Sequence, residues 1–218
     1  MGPVDRQPTA GSRRPLTRER VLHAALELVD RDGSEALTMR RLGRELGIAA
    51  MSIYNHVAGR EELLDGLSEV MVAEIGVEAG EVGDPRSVLR RFAHGIRAVA
   101  LAHPDAFRLV GMRPLRTSAA YEPVEVALAA LRAVGLSADE AAHAYRLLVS
   151  FARGFALAEI SGFTFERGGG GEPTGLGPEQ FPSIVALASQ LERPSADAAF
   201  EFGTELILDG LEARGVAG

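Results

Sequence analysis

Leu37–Val57 reads LTMRRLGRELGIAAMSIYNHV. Helical spacing divides the stretch in two. Thr38 is a natural N-cap, and Met39, Leu42 and Leu46 fall on one face of the helix that follows. Gly47 supplies a turn, and a second short helix is predicted over Ala50–Val57, ending before Gly59. In that second helix Ile53 and Val57, with Ile48 before it, have an apolar reason to point inward. Met51, Ser52, Tyr54, Asn55 and His56 are left on the outward face.

A tight turn between two short helices holds the second steeply across the first. In a helix-turn-helix the second helix enters the major groove, whose width admits one helix. Ala50 and Ser52 are short enough for close approach. Tyr54 and His56 can reach phosphates or a thymine methyl, and Asn55 can hydrogen-bond a base edge. Arg40 can point at guanine or a phosphate, and Arg60 sits beside the N-terminal amides of the next helix, placed for a phosphate. Other readings stay open: Tyr54 covering the side of a small helical domain, His56 as a surface histidine, and Arg40, Arg41 and Arg44 as a solvated helix face.

Working outward, Val21, Leu22, Ala25, Leu28 and Val29 make one face of a helix capped at Thr17 and stopped at Gly33. A longer helix starts at Arg60, with Glu61 and Glu62 at its positive end, and runs to about Glu78. Further helices are predicted over Pro85–Ala102, after Pro104, and over Ala120–Val134, Ala138–Ser161, Ser183–Leu191 and Ala196–Arg214. Strand alternation and hairpin turns are absent, so the class is all-α with about nine to ten helices. The loop 162–181, with GGGGEPTGLGP, is flexible by composition and lacks the Gly-Lys-Ser/Thr ending of a phosphate loop.

The totals bound the partners. The 218 residues suffice for one or two domains with a core. The chain has no cysteine, which excludes disulfides, thiolate metal sites and cysteine nucleophiles. No apolar run reaches the ~20 residues of a membrane span, and residues 1–15 read as a disordered basic arm rather than a signal peptide, so a cytoplasmic location is expected. Net charge is −7, but residues 1–60 carry ten Arg against seven acids, and the remainder thirteen Arg against twenty-three acids. The anion-facing end comes first. His103 with Asp105, or His143 with Ser150, are the only catalytic pairings that suggest themselves. The second lies two helical turns apart, no catalytic motif accompanies either, and an enzyme is not expected.

RERVLHAALELVDRDGSEALTMRRLGRELGI, the aromatic-x-His of IYNHV and the following REELLDGL together resemble the N-terminal domain of the TetR family of transcriptional repressors. The resemblance implies a helix-turn-helix DNA-binding domain over 16–60 and a connecting helix over 61–78. It implies DNA contacts at Arg40, Ala50, Met51, Ser52, Tyr54, Asn55, His56 and Arg60. Ala50 and Met51 stand where the tetracycline repressor has Gln and Pro, so a different operator is implied. GMRPLRTSAAYEPVEVALAALRAVGLS and FEFGTELILDGLEA are similar to the regulatory domain of the tetracycline-repressor branch. That similarity implies a ligand-binding and dimerisation domain over 79–218, with the last two long helices pairing across a two-fold axis.

In this branch, positions holding drug- or metal-contacting histidines read Gly76, Leu109 and Ser150 here. A glutamine position reads Ala127, and a glutamate position reads Ala158 with Glu159 beside it, while Arg113-Pro114 is kept. No metal or cofactor is therefore expected. A pocket for a small, mostly apolar organic effector is expected, lined by Phe92, Leu109, Met112, Arg113, Ala127, Leu131, Leu147, Phe151 and Phe155. His94, His103, Arg97, His143, Arg146 and Glu159 join Arg113 as candidate polar anchors. The expected function is a ligand-responsive repressor that binds a palindromic operator in double-stranded DNA as a homodimer. An activator, or a regulator without an effector, would use the same fold, and an interaction module without DNA binding is the remaining class.

Overall fold

The computed structural model describes residues 15–77, 83–162, 177–187, 190 and 195–215. Most of the basic arm and most of the glycine-rich loop lie outside these. Among the described residues the chain forms ten α-helices, two short 3-10 turns and no strand. The first, α1 (Arg18–Asp32), starts where the Thr17 hydroxyl accepts from the Arg20 amide and stops at Gly33. Its apolar face is fully inward, with Val21, Ala25, Leu28 and Val29 at 0% exposure. A 3-10 turn at Ser34–Ala36 leads to α2 (Met39–Leu46), capped by the Thr38 hydroxyl on the Arg41 amide.

Two glycines set the angle to α3 (Ala50–Ile53). Gly47 closes α2 in the left-handed region at φ 66°, which a side chain would disfavour. Gly43 lies against the start of α3: a Cβ there would stand 3.1 Å from the Ile48 carbonyl oxygen and from the Ala50 nitrogen. The regular helix is shorter than the predicted Ala50–Val57. After Ile53 the chain tightens into a turn, with the His56 amide donating to the Ile53 carbonyl at 2.8 Å and the Val57 amide to the same oxygen at 3.1 Å. Tyr, Asn and His are all modest helix formers, and the Glu62 carboxylate captures the Ala58 amide at 2.6 Å, drawing the chain into the next helix. Ile53 and Val57, both buried, pin the segment at either end.

The connecting helix α4 (Arg60–Ala73) also ends before the predicted Glu78. Its last amides loosen, with Ile75 donating to Val72 at 3.2 Å, and Gly76 turns the chain at φ 75°. Then α5 (Pro85–Ala102) begins with Pro85 in its first turn and Asp84 as N-cap. It is followed by α6 (Pro104–Val110), α7 (Glu122–Ala133) after a 3-10 turn, and α8 (Ala138–Ile160), which opens with a Ser137/Glu140 capping box. The short α9 (Pro182–Ala186) precedes α10 (Ala196–Gly215).

One apolar core runs the length of the molecule, from Val21 and Leu28 through Leu67 and Phe92 to Leu148 and Leu208. α5 is its axis, packing against α7, α8 and α10. Phe200 of α10 is fully buried between Phe151, 5.3 Å away ring to ring, and Phe155 at 5.2 Å. Beside it, Arg97 of α5 makes a fork to Glu159 of α8 at 2.6 and 2.7 Å and reaches Asp197 of α10 at 2.7 Å. That pair is nearly dry, and removing one member of such a pair typically costs about 3–5 kcal/mol. On the outside Arg86 and Arg90 bind Glu205, and Arg86 also reaches Asp209 and Glu212, so α10 is laced to α5.

Candidate nucleic-acid interface and ligand cavity

At the N-terminal end the outward face of α3 and its turn is bare. Met51 is 74% exposed and Tyr54 45%, although both are large and apolar in body. Asn55 is exposed as well, while Ala50, Ser52 and His56 are half-covered. Among the described residues nothing packs over this ridge, so burial does not account for its side chains. The arginines around it separate into two groups. Arg41 is held by Asp32 at 2.7 Å and Arg31 by Glu45 at 2.9 Å. Arg40 and Arg44 are exposed and make no ion pair among the described residues. Arg60 donates from Nη1 to the Leu37 carbonyl at 2.7 Å, tying the start of α4 to the segment that leads into α2. The ridge can present an amide, a phenol and an imidazole to base edges, with unneutralised guanidinium groups at hand for phosphates.

The second feature is a cavity between the far half of α4 and the regulatory helices. α4 and the turn after it supply Ser68, Met71, Val72 and Ile75. α5 gives Ile96 and Val99, and α6 Phe107 and Val110. Gly111, Arg113 and Leu115 follow, and α8 adds Arg153. The cavity volume is about 30 Å³. It is a narrow slot that an aromatic ring enters only by parting the helices.

Of the lining expected from sequence, Arg113 alone faces this slot. Phe92, Ala127 and Leu131 are sealed in the core at 2% exposure or less. Phe151 and Phe155 pack on Phe200, Leu109 is half-buried against the core, and Met112 and Leu147 point to solvent. The candidate polar anchors scatter. His94 binds Glu201 at 2.8 Å, Arg97 and Glu159 bind each other, and His143 and Arg146 are exposed. His103 bridges Asp30 of α1, at 2.6 Å, and Glu74 at the end of α4, at 2.8 Å. Desolvation is the largest influence on its ring and pulls the pKa down, but the two carboxylates together outweigh it and hold the pKa above the ordinary histidine value. The pairings that could have suggested catalysis dissolve: Asp105 is bound by Arg108 at 2.8 Å, and His143 and Ser150 are both exposed on α8.

Arg113 reaches from the slot to α4, donating to Glu61 at 2.8 Å and Asp65 at 3.0 Å, and these carboxylates raise its pKa. Its Nε is buried without an acceptor. Arg153 was not foreseen. Its signal was present in the sequence, because it interrupts a helical stripe of Tyr145, Val149, Leu157 and Ile160, all partly buried against the core.

Two family models match the chain. “Bacterial regulatory proteins, tetR family” covers residues 21–67, which include the exposed ridge, and “Tetracyclin repressor-like, C-terminal domain” covers residues 79–214. Among curated relatives, the HTH-type transcriptional repressor DrrR1 of Streptomyces coeruleorubidus is 30% identical, over 95% of this chain and 81% of its own. The class A tetracycline repressor from transposon 1721, in Escherichia coli, is 34% identical over 89% of each. Among solved structures, apo ActR from Streptomyces coelicolor superposes with a TM-score of 0.79 at 31% identity, covering 94% of this chain and 98% of that one. ActR has also been solved in complex with actinorhodin, with a TM-score of 0.78 at 30% identity, covering 93% and 99%. These relatives are regulators and not enzymes, and the chain belongs to the TetR family of bacterial transcriptional regulators.

Proposed function

We propose that the chain is a repressor that holds a palindromic operator as a homodimer and releases it when a small, mostly apolar organic molecule enters the slot. The observation that carries this reading is the placement of α4. Its first residue is tied to the Leu37 carbonyl ahead of the ridge, and its far half, with Ser68, Met71 and Val72, is a wall of the slot. A molecule that widens the slot must displace α4, and α4 is anchored at the DNA-reading end. Differential affinity of about 1–3 kcal/mol between two placements is enough for such coupling. The ActR–actinorhodin complex supports the effector, since that relative binds an organic molecule within the same fold.

Pairing is supported by an apolar stripe left open on α10. Phe202 is 67% exposed and Leu206 57%, with Gly210 in line beyond them, and Leu147 on α8 is 53% exposed. A second copy covering these helices would set two ridges side by side, as paired half-sites require. The test is a gel-shift titration with DNA flanking the chain's own gene. Tyr54→Ala should weaken binding at least about tenfold, the scale of one lost base-edge contact, while leaving melting temperature and oligomeric state unchanged. Unchanged affinity in that variant rejects the assignment of the ridge.

A further inference from the structure

The slot's polar groups are almost all donors. Arg153 has no hydrogen bond or ion pair among the described residues, and no carboxylate stands on the slot's lining. Arg113 brings a buried Nε without an acceptor, while its Nη2 is engaged by both Glu61 and Asp65. The hydroxyl of Ser68 is turned to its own helix, donating to the Leu64 carbonyl. Every other lining side chain is apolar or glycine.

A guanidinium facing an apolar slot is costly unless something negative meets it. Arginine does not escape by deprotonating, since its pKa lies far above neutrality even when lowered. Burial does push the Arg153 pKa down, against a smaller opposing influence from Tyr145, which agrees with a charge lacking a partner among the described residues. Elsewhere in this molecule partly buried arginines are matched: Arg97 by Glu159 and Asp197, Arg86 by three carboxylates. Among the described residues the missing counter-charge at Arg153 is a local exception, on the lining of the slot between α4 and the regulatory helices.

Resting on the reading of this slot as an effector site, we propose that it takes an organic acid. The aromatic or aliphatic body would lie among Met71, Ile96, Val99 and Phe107, and its carboxylate would be forked by Arg153, with the Arg113 Nε as a second donor. A planar carboxylate suits a guanidinium in two parallel hydrogen bonds, which gives orientation as well as affinity. A metal chelate with net positive charge would be repelled from the same place. The Arg113 contact also gives the acid a line to α4, because that guanidinium is already bound to Glu61 and Asp65.

The experiment uses the full chain and two probes of nearly one shape, 2-naphthoate and 2-naphthamide, titrated calorimetrically. The acid is expected to bind roughly tenfold or more tightly than the amide. Arg153→Met should abolish that preference while still binding the amide, which shows the slot intact. Arg153→Lys, a point charge without the fork, should retain only part of it. Equal affinities in the unaltered chain, a preference that survives Arg153→Met, or no binding of either probe would each overturn the proposal. Release of bound DNA separates this from the effector reading. An acid preference through Arg153 with no release by either probe keeps the anion site and rejects the effector role. Release by the amide as efficient as by the acid keeps the effector role and rejects the anion site.

Discussion

Arg60 and Arg40 stand close to the same ridge but are held differently, and this separates their expected behaviour. Arg60 spends one nitrogen on the Leu37 carbonyl, so its removal unties α4 as well as any phosphate it meets. Arg40 has no such tie and stands exposed. Arg40→Ala should leave the melting temperature unchanged and reduce the slope of log affinity against log salt by about one, for specific and random DNA alike. Arg60→Ala should reduce the slope in the same way and also lower the melting temperature, by the few degrees that accompany about 1 kcal/mol. Salt titrations and thermal melts on both variants check this, and equal melting behaviour would contradict the structural tie. At this scale the sequence disclosed the ridge well, because Ile53 and Val57 announce which way the segment faces. The slot was hardly legible. Phe92, Ala127 and Leu131 have the composition of a pocket wall but pack against neighbours, and which apolar side chains meet each other and which meet empty space depends on helix crossing angles that spacing does not encode. Arg153 could have been found only by asking why one guanidinium interrupts an apolar stripe.

Between elements, His103 is the junction. It lies where α5 gives way to α6 and joins α1, through Asp30, to the end of α4, through Glu74. With a carboxylate on each ring nitrogen, the geometry suits the doubly protonated imidazolium. Its raised pKa fixes the sign of the pH dependence. The folded state holds the proton more tightly than the unfolded chain, so the contribution is complete below the unfolded value of about 6.5 and is lost as pH rises through the folded value. Melting temperatures taken from about pH 5.5 to about pH 8.5 should fall for the unaltered chain relative to His103→Gln, closing the gap between them at the alkaline end. A constant gap would show that the imidazole's charge has no part in the junction. Helix positions were largely readable from caps and apolar spacing: α5 matches its predicted span, and α8 begins at its Ser137/Glu140 box. The endings of α3 and α4 were not, because both are decided by contacts rather than by composition. Glu62 draws off the Ala58 amide in one, and carbonyl bonds loosen before Gly76 in the other.

For the whole molecule, the open stripe of α10 bears on everything proposed at the DNA end. Phe202→Asp with Leu206→Asp should turn a dimer into a monomer in sedimentation, with the helical content kept, because neither side chain belongs to the subunit core. The same variant should lose most of its operator affinity, since a lone half-site contact keeps only one of the paired interactions. Among the described residues no helix is long and apolar enough to cross a membrane, and the acidic body behind a basic N-terminal third orients the molecule towards a polyanion. The most direct measurement is hydroxyl-radical footprinting of the full chain on the DNA flanking its own gene. Two protected patches on one face of the duplex, about 10 base pairs or a multiple apart and lost together in Tyr54→Ala, are the expected result. A single patch, patches unrelated by symmetry, or protection that persists in Tyr54→Ala would contradict the claim that two copies of α3 read this DNA as a matched pair.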